Sequence, residues 1–393
     1  MRGPRRWLGS VGISLDVVAD ATFRRRVDRS VLTIVHAADI HLETIFADVR
    51  GGSRRRAALA DAFARIVDLA LTRNADVLTI GGDLFEAQRA GPQTARLIYE
   101  QFARFAKQVY LAPGNHDPYG AHSLYARSDK PANVRVFADP AWTAFPLAEA
   151  VTLYGFGHTP AEPGRPFADA HFDRPGVRLA LVHGSDEDRC PPGKRATAPF
   201  TTDEIVASGA TLALAGHYHG GYVVESDGAP ILAYPGSPEP IRFGERGTHG
   251  ALVVTVAAGN VRVEPVSLAR TRLFECDVRL DGATTERAVL AGLESVLADL
   301  GGSDYVRARL QGTVARGTRV DTDLLVERCG SRLAALEVID RTIAADYAEL
   351  AQQPNVRGHV VRDLLERQAG GDADAERALA YVVAAFEGEE IAP

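Results

Sequence analysis

The sequence predicts an α/β protein in which two packed β-sheets are flanked by helices and followed by a smaller α+β unit. Three features of the pattern lead there. From Val31 onward, short β-branched apolar runs alternate with stretches of helical periodicity. Between Val151 and Val266 strands follow one another closely with little helix between them. At about residue 271 the strand–helix alternation starts again, as expected where one layered unit ends and another begins.

Taken in order, residues 31–36 form a short apolar strand, and residues 54–73 a helix through Leu59, Phe63, Ile66, Val67 and Ala70 after Ser53. Residues 75–80 read as a strand, 91–106 as a helix and 109–112 as the next strand. Strands are then expected at 151–156, 177–182, 212–215, 222–224, 231–234, 251–256 and 261–266, with a short helix at 202–208. These elements make one domain over residues 31–268. A second unit over 271–345 is expected as strand 273–280, helix 285–300, strand 305–311 and helix 323–336. Residues 355–393 read as two further helices around the Gly370-Gly371-Asp372 turn.

The 393 residues are ample for a large core, and 46% hydrophobic with 24% charged residues excludes a disordered or disulfide-stapled chain. The three cysteines, Cys190, Cys276 and Cys329, stand at no zinc-like or redox spacing, so a reducing cytoplasm is the expected setting. No run reaches the roughly 18–20 apolar residues of a membrane span. The net charge of -7 argues against coating nucleic acid through bulk positive charge. Residues 1–30 carry Arg5-Arg6 before Trp7-Leu8 and a small-x-small Ala19-Asp20-Ala21, the outline of a twin-arginine export signal. Asp16, Gly9 and Gly12 interrupt its apolar core and Arg24 to Arg26 follow it. The segment is therefore read as an extension outside the fold, either disordered or upstream of the native start.

Chemistry gathers at the strand ends. Asp39-Ile40-His41 follows the first strand, Gly81-Gly82-Asp83 the second and Gly114-Asn115-His116-Asp117 the third. His183-Gly184 and Gly216-His217-Tyr218-His219 end two strands of the later set. The carboxyl ends of strands in an α/β sheet point to one edge, so five polar motifs there converge on one place. A lone histidine is ordinarily a hydrogen-bonded core or surface residue, and His36, His122, His158, His171, His249 and His359 are read that way.

The series Asp-x-His, Gly-Asp, Gly-Asn-His-Asp, His-Gly and Gly-His-x-His resembles the calcineurin-like metallophosphoesterase superfamily over about residues 31–268. The resemblance implies a four-layer αββα sandwich with two metal ions at the sheet edge. Carried over motif by motif, Asp39, His41 and His219 would bind one ion, Asn115, His183 and His217 the other, and Asp83 both. This mixed oxygen and imidazole set suits two divalent ions, Mn(II) best, with Fe, Co and Zn also accommodated. With only two carboxylates among the seven ligands, positive charge is left for a bridging hydroxide and a phosphate oxygen. His116 is left to stabilise charge on the phosphoryl group or protonate the leaving oxygen, with Asp117 expected to fix its tautomer.

Two features narrow the substrate. The loop running from Tyr234-Pro235-Gly236-Ser237 to Gly244-Glu245, and Leu84-Phe85 after Asp83, resemble SbcD-type and YhaO-type DNA exonucleases. The 271–345 unit resembles the small α+β cap that those nucleases place beside the metal site. The resemblance implies a metal-dependent DNA exonuclease of DNA repair, working with a coiled-coil ATPase of the SbcC type that docks on C-terminal helices, and it leaves a homodimer open. Val360, Val361, Leu364, Leu365, Leu379, Val382, Val383 and Phe386 form apolar stripes suited to that docking. The chain carries no phosphate-binding glycine loop, so any ATP dependence comes from such a partner. Arg54, Arg55, Arg56 and Arg242 are the expected DNA contacts, with Arg246, Arg307 and Arg309 further candidates. The alternatives are a phosphodiesterase or phosphatase for small phosphoesters, and a binding protein whose metal site recruits DNA.

Overall fold

A computed structural model describes residues 31–46, 52–161, 163–190, 196–281, 283–344, 347–372 and 374–387. The extension at 1–30, with its export-like motif, lies outside the described residues. The first sheet is built from β1 (Val31–Ala37), β2 (Val77–Ile80), β3 (Gln108–Leu111) and β4 (Val134–Val136). The second holds β5 (Thr143–Ala148), β6 (Val151–Gly155), β7 (Val177–His183), β8 (Leu212–Gly216), β9 (Tyr222–Ser226) and β10 (Ala229–Tyr234). The chain then returns to the first sheet through β11 (Gly250–Ala257) and β12 (Asn260–Ser267). The strand orders are β12-β11-β1-β2-β3-β4 and β5-β6-β7-β8-β10-β9. In the first sheet β1 to β4 run parallel, with antiparallel β11 and β12 beyond β1 only; in the second β6, β7, β8 and β10 run parallel, with antiparallel β5 and β9 at the two edges.

Helices α1 (Gly52–Thr72) and α2 (Pro92–Phe105) cover the outer face of the first sheet. The alternation within each strand sorts its side chains between layers. In β1, Val35 and Ala37 face the helices with Leu59, Phe63, Ile66 and Phe102, whereas Leu32 and Ile34 enter the core between the sheets with Leu179, Leu181, Leu212 and Leu214. The outer face of the second sheet is covered by a short α3 (Thr202–Ala207) and an aromatic layer including Trp142, Phe167, Phe172 and Phe200. Four αββα layers result, as expected. The edge strands β4 and β5 escape the sequence pattern: β4 has only three residues, and Pro146 within β5 argues locally against a strand.

The cap comprises β13 (Arg272–Arg279), α4 (Glu286–Val296), β14 (Asp304–Gln311), β15 (Thr313–Val314), α5 (Thr322–Cys329), β16 (Ala335–Asp340) and β17 (Ile343–Ala344). It holds three strands that the pattern did not predict, β15, β16 and β17. The helix predicted over 323–336 stops at Cys329, and β16 pairs in parallel with β14, completing a three-stranded sheet β13-β14-β16. Leu336 and Val338 alternate toward the cap core, and that pairing outweighs the weak helical pattern. Helices α6 (Tyr347–Ala351), α7 (Val356–Ala369) and α8 (Ala375–Glu387) complete the chain. Their apolar stripes meet one another: Leu350, Val361, Leu364, Leu379 and Val383 form a separate small core, with Val360, Leu365 and Val382 packed against it. Among the described residues no helix is long and apolar enough to cross a membrane.

Arg55 corrects the reading of the arginine run as a DNA-facing cluster. Its side chain is fully buried between Phe46 and Tyr305, whose ring centroids lie 4.8 and 4.9 Å from the guanidinium. It donates to Thr271 Oγ1 at 2.6 Å and to the Pro240 carbonyl. Beside it, buried Glu239 accepts from Arg65, from the Arg270 and Thr271 amides and from Thr271 Oγ1. These contacts join α1, the 235–245 loop and the start of the cap, and those of Arg55 alone contribute about 3 kcal/mol. Arg54 and Arg56, on either side, are exposed.

Candidate metal centre

The parallel strands of both sheets end at one edge, and the loops that leave them carry the polar motifs. Asp39 and His41 follow β1, Asp83 follows β2, and Asn115 and His116 follow β3; His183 ends β7, and His217 and His219 follow β8. Two contacts stitch the sheets together there. Asp39 accepts from the His217 amide at 2.9 and 3.0 Å, and His183 Nδ1 donates to the Gly81 carbonyl at 2.8 Å. Asp39, His41, Asp83 and His217 all hold positive φ, at 55°, 51°, 51° and 117°. Non-glycine residues in such conformations cost roughly 1–3 kcal/mol each, which marks strain concentrated at a functional site. The glycines beside them permit close approach. A Cβ on Gly82 would lie 2.5 Å from His183 Nδ1, and one on Gly114 would lie 2.3 Å from Asp83 Oδ1.

The imidazoles are oriented from outside. His41 Nδ1 donates to Glu86 Oε1 at 2.9 Å, His219 Nδ1 to Glu245 Oε1 at 2.6 Å, and His183 Nδ1 to Gly81 as above. In each ring this leaves Nε2 as the inward donor atom, the arrangement that metal-binding histidines require. His183 Nε2 lies 3.3 Å from Asp83 Oδ2 and 3.1 Å from Asn115 Oδ1. The His217 ring packs edge-on against that of His183, with centroids 5.3 Å apart.

Among the described residues three groups of donor atoms are close enough to hold an ion: Asp39 with His41 and His219, Asp39 with Asp83 and His183, and His41 with Glu86 and His116, the last already tied by hydrogen bonds. His41 Nε2 tests the fit. It is buried without a hydrogen-bond partner, 3.6 Å from Asp83 Oδ2, so its lone pair is suited to a cation. The electrostatics agree. Burial opposes charge on His183, but the Asp83 and Asp39 carboxylates override it and push its pKa up to about 9. Burial and the charge on His183 hold His217 down to about 3. The site therefore draws positive charge toward its carboxylates, and its His/Asp donor set is consistent with two divalent metal ions.

His116 borders the cleft, its side chain 38% exposed and its ring centroid 4.8 Å from that of His41. Asp117 does not orient it. The buried Asp117 carboxylate turns away and accepts from the Asp83, Leu84 and Gly114 amides and from the Tyr125 hydroxyl, which brace the two loops. The partner of His116 is Glu86, whose Oε2 accepts from His116 Nδ1 at 2.9 Å. Glu86 and Glu245 escaped the sequence reading. The available signals were that Glu86 stands three residues after Asp83 and that Glu245 closes the Pro-Gly loop. His36 and His158 are ordinary core histidines that brace the site, His36 through Thr79 and Ala215, and His158 through the His183 carbonyl.

A cleft of about 660 Å³ is lined by His116, by Tyr218, Tyr222 and Phe243, and by Arg189, Arg242 and Arg246, of which Arg189 is paired with Asp186. The aromatic wall was invisible in the sequence because Phe243 comes from a different loop than Tyr218 and Tyr222. Arg307 and Arg309 do not line the cleft. Arg307 is paired with Glu275 and Glu337 and stacked over Phe243, and Arg309 is paired with Asp277, so their charge is met within the protein.

Residues 32–221 match the family model described as calcineurin-like phosphoesterase. The chain is similar to the uncharacterized metallophosphoesterase YhaO of Bacillus subtilis, 27% identical over 309 residues, 72% of each chain. It is also similar to the DNA double-strand break repair protein Mre11 of Aeropyrum pernix, 25% identical over 289 residues, 68% of each chain. A shorter match, 29% over 92 residues and 22% of each chain, is to a component of the nuclease SbcCD of Rhodobacter capsulatus.

Proposed function

Since residues 32–221 make this chain a member of the calcineurin-like phosphoesterases, and hence a metal-dependent phosphoesterase, we propose that it hydrolyses DNA phosphodiesters, as an exonuclease of DNA repair. The observation that carries the finer reading is the cleft. Besides the donor residues it is lined by the exposed Arg242 and Arg246, where the phosphates of neighbouring nucleotides would lie, whereas Arg189 is paired with Asp186. Tyr218, Tyr222 and Phe243 line the same cleft, Tyr222 stacked on Tyr234 and Phe243 under Arg307. The likeness to Mre11 and to a component of a nuclease supports the same choice over a small phosphoester.

In this reading Asp39, His41 and His219 hold one ion, Asn115, His183 and His217 the other, and Asp83 lies between them. Two divalent ions, Mn(II) being our choice, supply Lewis-acid polarisation and an acidified water. The protein's own part is to orient these ligands, to seat the strand along the arginines and to present His116 to the leaving oxygen. Exposed Arg54 and Arg56 extend the grip on DNA outside the cleft.

With Mn(II), the purified protein is expected to degrade end-labelled linear DNA faster than bis(4-nitrophenyl) phosphate, and EDTA to stop both reactions. Arg242→Ala is expected to weaken DNA binding and flatten its logarithmic salt dependence by about one. Turnover of the small diester with DNA left intact would move the substrate to small phosphoesters.

A coiled-coil ATPase partner is part of the same proposal. The α6–α8 helices leave Val356, Tyr381 and Phe386 exposed after their own core is formed, a smaller docking face than the full stripes promised. Removal of residues 355–393 is expected to abolish co-purification with the ATPase while leaving hydrolysis of the small diester intact. Unchanged co-purification would place the contact elsewhere.

A further inference from the structure

We propose that Glu245 is a positioning residue through which docking of the cap sets the affinity of one metal site, because it holds His219 from a loop that is itself seated on the cap. The inference rests on the reading of His219 as a metal ligand above and is independent of which phosphoester is cleaved. Oε1 of Glu245 accepts from His219 Nδ1 at 2.6 Å, which leaves Nε2 as the nitrogen for an ion beside Asp39 and His41. Oε2 accepts from the Ile241 amide at 2.8 Å. The carboxylate side chain is 11% exposed, so water competes little for either oxygen. One side chain therefore ties the imidazole to the backbone at Ile241, and a shift of that backbone strains or breaks the bond to the ring.

The backbone at Ile241 is placed by the cap. Ile241 is buried in the core that also takes in Tyr305 of the cap, and Phe243 packs against that core with Leu273 and Ala335 of the cap. The Pro240 carbonyl accepts from Arg55, whose guanidinium lies over the Tyr305 ring and donates to Thr271. Glu239 accepts from the Arg270 and Thr271 amides at 2.9 and 3.1 Å, at the entry to the cap. On the far side of Ile241, the Phe243 ring centroid lies 4.2 Å from the Arg307 guanidinium, and Arg307 is anchored in the cap sheet by Glu275 and Glu337. Residues 239, 240 and 243 are thus held by the cap or its entry, directly or through Arg55.

The same loop also runs against the segment that carries His219. The Ser237 amide donates to the His219 carbonyl at 2.9 Å, and the Gly221 amide donates to the Thr248 carbonyl at 2.8 Å. These backbone bonds fix where the two segments meet. They leave the direction of the His219 ring to its hydrogen bond with Glu245. A ligand ring released from its outer partner loses about 10- to 100-fold in metal affinity. Docking of the cap and binding of the ion are then linked, and by reciprocity the bound ion favours the docked cap by the same factor. Glu245 itself touches neither ion nor substrate in this scheme; it carries the position of the cap to the ring that does.

The test is calorimetric titration of the metal-stripped full chain with Mn(II), each variant being checked for folding by thermal melting without metal. Glu245→Ala is expected to weaken one of two sites about 10- to 100-fold and to leave the other unchanged. Glu245→Gln, whose amide oxygen still accepts from His219 Nδ1, is expected to fall between and covers the case in which the alanine variant does not fold. Arg307→Ala is expected to weaken the same site about threefold, as is Phe243→Ala, which removes that contact from its other side. In the Glu245→Ala background Arg307→Ala is expected to cause no further loss, because the path through which it acts is already cut. A contact that only stabilises the fold would lower the melting temperature without favouring one site over the other. Losses that multiply in the double variant, or wild-type affinity at both sites in Arg307→Ala and Phe243→Ala, would overturn the coupling. His219→Ala tests the ligand reading separately and is expected to weaken the same site at least as much as Glu245→Ala. Wild-type affinity at both sites in His219→Ala would overturn the ligand reading and the coupling together, whereas a weakened site there beside unaffected cap variants overturns the coupling alone.

Discussion

Asp83→Ala is expected to lose both metal binding and turnover, the latter by more than about 10³-fold. Asp83 is almost fully buried, with its Oδ2 3.3 Å from His183 Nε2 and 3.6 Å from His41 Nε2, between the two groups of donor atoms. Its Oδ1 accepts from the His116 amide at 2.9 Å, so the same carboxylate also places the cleft histidine. Removing it takes away one of the only two carboxylates assigned to the ions. The backbone bonds of residue 83, to the His41 amide and Asp117 Oδ1, do not need the side chain, so the variant is expected to fold. Metal analysis of the purified variant beside its kcat on bis(4-nitrophenyl) phosphate is the measurement. Full metal content in Asp83→Ala would remove this residue from the centre.

His116→Ala is expected to separate the two properties, retaining both ions while turnover on DNA falls about 10²- to 10⁴-fold, the range for losing a general acid. The metal prediction is the sharper half. His116, His41 and Glu86 bring donor atoms close enough to hold an ion of their own. Their contacts, however, are hydrogen bonds of 2.9 Å from two N–H groups to one carboxylate. Binding of one ion fewer in His116→Ala would make His116 a ligand and leave the leaving oxygen without its proton donor. Wild-type turnover in the variant would exclude it from the chemistry.

These two residues show how much of the site was legible in the chain. Asp83 and His116 stand in motifs that end apolar strands, and the parallel order of the strands carries those motifs to one edge whatever the details of packing. Local spacing likewise brings the other metal-ligand candidates to the same edge, because each lies within a few residues of a strand terminus. Asp117 misled because adjacency in sequence suggested a partner for His116. The tight turn after β3 sends consecutive side chains to different places, and Asp117 is consumed by three backbone amides and a tyrosine. Arg55 misled for a related reason. A triple arginine on a helix start resembles a solvated face, yet successive helical residues point about 100° apart, and the middle one enters the junction with the cap.

The sequence by itself determined the layer order of the main domain, the edge at which its polar motifs gather and the donor types found there. Those properties follow from hydrophobic period and from what stands next to each strand, both of which are local. Tertiary structure alone decided that Glu86 and Glu245 orient the imidazoles, that the cleft has an aromatic wall and that Arg307 and Arg309 are neutralised within the cap. It also turned residues 335–340 from a helix end into a strand and closed the C-terminal stripes on themselves. Each of these depends on contacts between segments far apart in the chain, where a hydrogen bond or a buried face is satisfied by whichever partner the fold brings near. No periodicity or spacing along the chain specifies that partner.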